Sequence, residues 1–409
     1  MVHYLLPVLF VAILPTFQGG FEILRVLLLS TFPLFYLIVK PISLNRIKKL
    51  VFPLVGLIIV YVLSFFYNNQ NYINFLMGHY RRNFGILTLL GVFILFVIFT
   101  STKINQRDII IKYFYLTLVL GIFYGLFQVN NIDPIVTDSG EPGLTLGNTN
   151  FASAFLGILS IVPLMYFLME KKNIKWLHLV VFFLNVYVIL QIGSVQGLVF
   201  VLINIVLISF HQFSKSQKIN RINTISAGII FSVFTIGLLS ASFASLQGKN
   251  FLRYIDQAVQ LSSRLDHWAL ALRIAADHFW LGVGVDDMFR FSGEYITEST
   301  SNLYGGFILP DRSHNTILDH LVGGGIFAMI FWIVFCIQIF IIIFYLLNRQ
   351  IYKKEIKSTI IFSSIWVNYF VQTLISPDQL VIFTLGMISA GSVVAIYLEQ
   401  SSFKQLRNN

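Results

Sequence analysis

The residues best suited to chemistry lie in RSHNTILDHLVGGG, where His314 and Asn315 precede an apolar run and a glycine cluster ends at Gly325. Ser313 or Asn315 can cap the helix that follows, which sets the His314 imidazole at the positive end of a helix dipole. That location lowers the proton affinity of an imidazole. A neutral His314 near pH 7 can take a proton from a hydroxyl as a general base. A polar cap residue at an interface is the plainer reading of the same histidine.

Cations supply the second element. Arg25, Arg81, Arg82, Lys249, Arg253, Arg264, Arg273, Arg290 and Arg312 fall at or beyond one boundary of the apolar spans, and all but one are arginine. The planar guanidinium suits bidentate contact with phosphate better than an ammonium does, so an anionic ligand on that side is expected. Pairing with acids of the same loop, among them Asp266, Asp277, Asp286, Asp287 and Asp311, is the competing account. Arg81 and Arg82 open a span in GHYRRNFG with no acid in their own connector, and so call for a counterion. SSRLDHWALALRIAADHFW reads as a membrane-surface helix begun by Ser263 and Asp266, with Leu265, Trp268, Ala269, Leu272 and Phe279 on one stripe. On that helix Arg264 is expected at headgroup depth on the lipid-facing edge, and Arg273 is expected to pair with Asp277. WLGVGVDDMF then reads as a glycine-punctuated turn. GLTLGNTNFASAFL sets Asn148 and Asn150 before a span, and GSVQG presents Gln196 in a tight turn. All three amides can contact a sugar or phosphate, although cap and turn chemistry explains them equally.

These groups must be positioned by a membrane bundle. The chain has 409 residues, 56% of them hydrophobic and 11% charged. Its apolar runs have the length that crosses roughly 30 Å of hydrocarbon. About twelve spans are expected, near 4–17, 22–39, 50–67, 84–100, 109–127, 151–169, 176–193, 197–212, 223–245, 320–347, 358–376 and 379–398. Lacking the alternation of barrel strands, each should be helical, which makes the fold an all-α polytopic bundle forming a single domain over 1–409. One long, partly helical loop over 246–313 interrupts it and continues into the 314–347 span. Lys and Arg cluster in alternate connectors, which puts those connectors and both termini on the cytoplasmic side and the long loop outside. The net charge of +10 follows from this topology, so no nucleic-acid partner is inferred. Cys336 is the lone cysteine and falls mid-span, so this chain assembles neither a disulfide nor a thiolate metal site. Met1 onward reads as a retained first span rather than a cleaved signal.

Taken in order, GHYRRNFG, GLTLGNTNFASAF, SRLDHWALALRIAADHFWLGVGVDDMF and RSHNTILDHLVGGG resemble the O-antigen ligase and polymerase superfamily of bacterial envelope glycosyltransferases. His314-Asn315 with the spaced Gly325 resembles the ligase pattern, whereas Ala328 and the Val195-Gln196-Gly197 turn, which lacks an arginine, depart from it. The resemblance implies an inverting transferase with an undecaprenyl-pyrophosphate-linked glycan as donor. The implied acceptor is lipid A-core or another lipid-linked glycan, and no cofactor or metal is implied. Its implied setting is the periplasmic face of the bacterial inner membrane, among membrane lipids. His314 would then be catalytic, with Arg81, Arg82, Arg264, Asn148, Asn150, Gln196 and Asn315 binding pyrophosphate or glycan. A polysaccharide polymerase that joins lipid-linked repeat units is the alternative within the class. A transporter or flippase for an anionic solute or lipid is the alternative outside it.

Overall fold

Apolar runs of this length can enter hydrocarbon only if their backbone groups pair internally, and the chain meets that requirement with helices throughout. The computed structural model describes residues 21–79, 82–133, 142–213, 261–297, 309–348 and 355–408. In chain order the helices are α1 (Phe21–Val39), α2 (Lys48–Tyr67), α3 (Tyr72–Met77), α4 (Ile86–Phe99), α5 (Ile104–Val129), α6 (Thr149–Leu159) and α7 (Ile161–Met169). They continue as α8 (Lys175–Ile192), α9 (Val195–Phe213), α10 (Leu261–Asp277), α11 (Met288–Tyr295), α12 (Thr316–Asn348), α13 (Ile356–Ile375) and α14 (Leu380–Asn408). No strand occurs among the described residues. Seven helices are long and apolar enough to cross a membrane, and three shorter apolar helices match further expected spans. The spans expected near 4–17 and 223–245 lie outside the described residues. The chain is a polytopic helical membrane protein.

Burial separates a centre from a periphery. In the apolar stretch of α14, 94% is buried, and in α6 with α7 the figure is 89%, whereas in α8 it is 33%. Helices α6, α7, α13 and α14 therefore form the interior. The outer helices turn Phe35, Ile38, Phe52, Phe66 and Phe344 outward, as lipid-facing side chains require. At the end that carries the basic connectors, fully buried Arg107 ties α5 to Glu355 and Glu399, both at 2.5 Å.

The feature that positions the site is a break in α12. Gly325 adopts φ 68 and ψ −166 inside that helix, which frees backbone groups that must pair elsewhere. The segment after α10 supplies the partners. Val283 N donates to Val322 O at 2.8 Å and Gly284 N to Gly323 O at 2.9 Å, while Ile326 N donates to Phe279 O at 2.8 Å. Helix α2 joins the same seam through Ser64 Oγ, which donates to Gly323 O, and Asn68 Nδ2, which donates to Gly282 O. Thus the glycine-punctuated stretch is more than a returning turn, because it repairs a broken membrane helix.

That docking lays α10 along α12. Leu270, Ala271, Ile274 and Ala275 are buried against Val283, Met288, Leu321 and Val322. Leu265, Leu272 and Phe279 face outward, as expected of a surface helix. Three expectations about α10 are corrected. The helix is already formed at Leu261, so Ser263 is not its cap. Arg264 is 2% exposed and points inward, because its side of the helix is the one packed on the bundle. Arg273 and Asp277 form no ion pair among the described residues; Asp277 instead accepts from Tyr295 Oη at 2.8 Å.

A Cβ at position 325 would stand 2.2 Å from Trp280 O, at a φ that side chains disfavour. Gly325→Ala should therefore destabilise the protein by about 3 kcal/mol. Thermal unfolding in detergent should show this as a midpoint lowered by several degrees.

Candidate active site

His314 lies on a one-residue kink between Arg312 and the start of α12, with φ 59, a left-handed conformation uncommon for a residue with a side chain. Hydrogen bonds on either side hold the kink. Asn315 caps α12, its Oδ1 accepting from Ile317 N at 3.0 Å and Leu318 N at 3.3 Å, and its Nδ2 donating to Leu374 O. Ser313 donates from N and Oγ to Asp319 Oδ1, at 2.9 and 2.6 Å. The cap expectation for Asn315 thus holds, and the amide also fastens the kink to α13.

Buried Arg312 fixes the segment from below. Its Nε and Nη2 donate to Asp286 Oδ1 at 2.8 and 2.7 Å, its Nη1 lies 3.7 Å from Asp319 Oδ2, and its guanidinium covers the Phe84 ring. Asp286 also accepts from His79 N and Phe84 N, which draws in the loop between α3 and α4. Burial alone would lower the proton affinity of Arg312, but Asp286 and Asp319 more than offset it and keep the group charged. A cavity of about 30 Å³, bordered by Tyr61, Asp286, Arg312, Asp319, His320 and Asp378, lies beneath. It has room for ordered water. Asp378, just before α14, accepts from Thr316 Oγ1 and Tyr369 Oη, each at 3.0 Å, and burial pushes its pKa up to about 6.

Above this layer the His314 ring meets His267 of α10. Their Nδ1 atoms are 3.0 Å apart, and the rings lie 4.6 Å apart centre to centre. His314 Nδ1 also lies 3.3 Å from Arg312 O. Arg82 approaches from the α3–α4 loop and grips Asp311 with Nε at 2.5 Å and Nη2 at 3.1 Å. Burial would raise Asp311, but the charge and hydrogen bonds of Arg82 pull its pKa down to about 2. The His314 pKa is pushed down to about 3, chiefly by burial and then by the His267 and Arg82 charges. The expected direction holds, but desolvation is the main cause. Burial likewise lowers His267 and Arg264.

Arg82 therefore finds its counterion in Asp311, distant in sequence, as the competing account of pairing with acids of the long loop expects. Arg81 lies outside the described residues. Arg264 is buried, and its Nε and Nη1 have no hydrogen-bond partner among the described residues. Three expected ligand amides make structural contacts. Asn148 caps α6 through Asn150 N at 2.7 Å, Asn150 Oδ1 accepts from Ser194 Oγ at 2.8 Å, and Gln196 Nε2 donates to Ser376 Oγ at 3.0 Å. Cap and helix-contact roles account for each. Sequence reasoning missed His267, although it stands three residues after Arg264 and so shares its helix face.

Residues 142–333 match the family model described as O-antigen ligase, and this stretch includes Arg264, His267, Asp311 and His314. That stretch is similar to the O-antigen ligase domain. No curated protein matches the chain. That likeness supports a glycan-processing role of the ligase or polymerase type, with lipid-linked glycans in general as substrates. Arg82 stands before the matched residues, so the site draws on both.

Two outcomes follow from this electrostatic frame. Arg312→Met would leave Asp286 charged, buried and uncompensated, at a cost of about 3 to 5 kcal/mol. Adding Asp286→Asn should recover part of that loss when thermal midpoints are compared in detergent. The second concerns pH. An unfolded chain protonates His314 near 6.5, whereas the folded chain keeps it neutral down to about 3, so stability present above 6.5 is lost as pH falls between those values. His314→Asn keeps a residue that tolerates positive φ but removes the titration. Its midpoint should fall less than that of the unsubstituted protein between about pH 7 and 5.

Proposed function

We propose that the protein is an O-antigen ligase-type glycosyltransferase, moving a glycan from undecaprenyl pyrophosphate to a hydroxyl of lipid A-core. It would work at the periplasmic face of the bacterial inner membrane, with both termini cytoplasmic. The observation that carries the reading is buried Arg264, whose unpartnered donors lie on the same helix face as the His267 ring that meets His314. A buried guanidinium without a full set of acceptors is costly, and a pyrophosphate would supply them.

In this reading Arg264 binds the pyrophosphate, and the Arg82 charge, held by Asp311, adds to the positive field. His314 accepts the proton of the acceptor hydroxyl as its oxygen attacks the anomeric carbon. The bond from that carbon to the pyrophosphate oxygen breaks, and its electron pair leaves with the pyrophosphate, where the arginines stabilise it. A single displacement of this kind inverts the anomeric centre. The donor's negative charge would also raise the proton affinity of His314 from its low value, bringing the base into use as donor binds. The outward apolar face of α10 supports lateral entry of a prenyl chain beside this site.

Cells lacking the gene test the reading. Core-only lipopolysaccharide, with long glycan held on the lipid carrier, is the expected profile. Core bearing one repeat would instead indicate the polymerase, and an unchanged profile would contradict both. Complementation with His314→Ala should lower transfer by about 100-fold to 10,000-fold. With Arg264→Lys, which keeps charge but loses the fork, a loss of about 100-fold is expected, read as glycan accumulated on the carrier.

A further inference from the structure

Among the described residues, the His267 imidazole is the nearest titratable group to His314 that the transfer step leaves unused. We propose that His267 is a positioning residue that accepts the Nδ1 hydrogen of His314 and thereby presents the bare Nε2 of His314 to the acceptor hydroxyl. This rests on the ligase-type reading.

The groups around Nδ1 of His314 argue for a hydrogen on that nitrogen. Its Nδ1 faces two groups, His267 Nδ1 at 3.0 Å and Arg312 O at 3.3 Å. The carbonyl oxygen can only accept. A bare Nδ1 on His314 would point its lone pair at that oxygen, whereas an Nδ1 hydrogen serves both neighbours. His267 Nδ1 is then the acceptor, its own hydrogen resides on Nε2, and His314 Nε2 remains free as a base. The ring planes are tilted by 30°, with their centres 4.6 Å apart.

The pairing also bears on the reaction. When the acceptor O–H bond breaks and His314 Nε2 takes the proton, the resulting imidazolium donates more strongly through Nδ1 to His267. The two rings thus share one positive charge, and the proton passes to solvent after the glycan has moved. Among the described residues, the charged groups facing the pair are Asp266 and Arg264 on α10, Asp311 beside His314, and Arg82 on the α3–α4 loop. Asp311 is already engaged by Arg82, so it does not replace His267 as the direct partner. In hydrolases built on a histidine base, a carboxylate holds the second ring nitrogen; here an imidazole takes that position. The docking of α10 on the broken α12 fixes the spacing.

The test uses full-length protein in liposomes, with a synthetic undecaprenyl-pyrophosphate-linked oligosaccharide as donor and rough lipopolysaccharide as acceptor. Three substitutions separate proton acceptance from packing. His267→Ala removes ring and acceptor, His267→Phe keeps a ring but no acceptor, and His267→Asn sets an amide oxygen near the place of Nδ1. Ala and Phe should lower kcat by about 100-fold with donor KM unchanged. Asn should restore most of kcat, and added imidazole should partly rescue Ala. Unfolding midpoints identify any variant that has merely lost its fold. Full kcat in Phe, or equal loss in Asn and Ala, would overturn the pairing. His314→Ala is run alongside: if it stays fully active, the base reading itself has failed, whereas an inactive His314→Ala beside a fully active His267→Phe overturns the pairing alone.

Discussion

The arrangement depends on one buried charge. Arg312 sits just before a membrane helix, almost out of contact with solvent, and such a charge is tolerated only where anions enclose it. Asp286 and Asp319 do so, and each carries a constraint with it. Asp286 draws in the loop between α3 and α4 through two backbone amides, which brings Arg82 toward Asp311. Asp319 holds Ser313, which fixes the kink at His314. Satisfying the electrostatics of one arginine thus assembles three separate stretches of chain around one imidazole.

The break in α12 contributes the fourth stretch. An uninterrupted helix would offer no free carbonyls at Val322 and Gly323, and the segment after α10 would have nothing to pair with. With the break, α10 lies against the bundle with Arg264 buried, His267 reaching His314, and Leu265 and Leu272 turned outward. One helix thereby meets two needs, an apolar face toward lipid and a charged face toward the site. Its outward apolar stripe alone would not distinguish it from any helix lying on a membrane surface.

Much of this was legible in the sequence because membrane insertion constrains it so strongly. Length and apolarity locate the helices, and the cap chemistry of Asn315 follows from its place before an apolar run. What stayed hidden depends on contacts distant in sequence. Nothing in GHYRRNFG tells that Arg82 will find Asp311, and a helix wheel for α10 cannot say which side of Arg264 meets protein rather than lipid. The amides at Asn148, Asn150 and Gln196 show the reverse problem. Their residue types suit sugar binding, yet caps and helix contacts use the same chemistry, and each of these side chains makes such a contact. His267 went unnoticed because a lone histidine on an amphipathic helix signals nothing until a second imidazole is placed beside it.

The central claim is that a hydroxyl is activated at His314 while a pyrophosphate departs beside Arg264. The most direct measurement is a single-turnover reaction in liposomes, following glycan transferred and undecaprenyl pyrophosphate released by mass spectrometry. One pyrophosphate lipid should be freed for each glycan moved, with both signals vanishing together in folded His314→Gln protein. Undiminished release and transfer in that variant would contradict the claim.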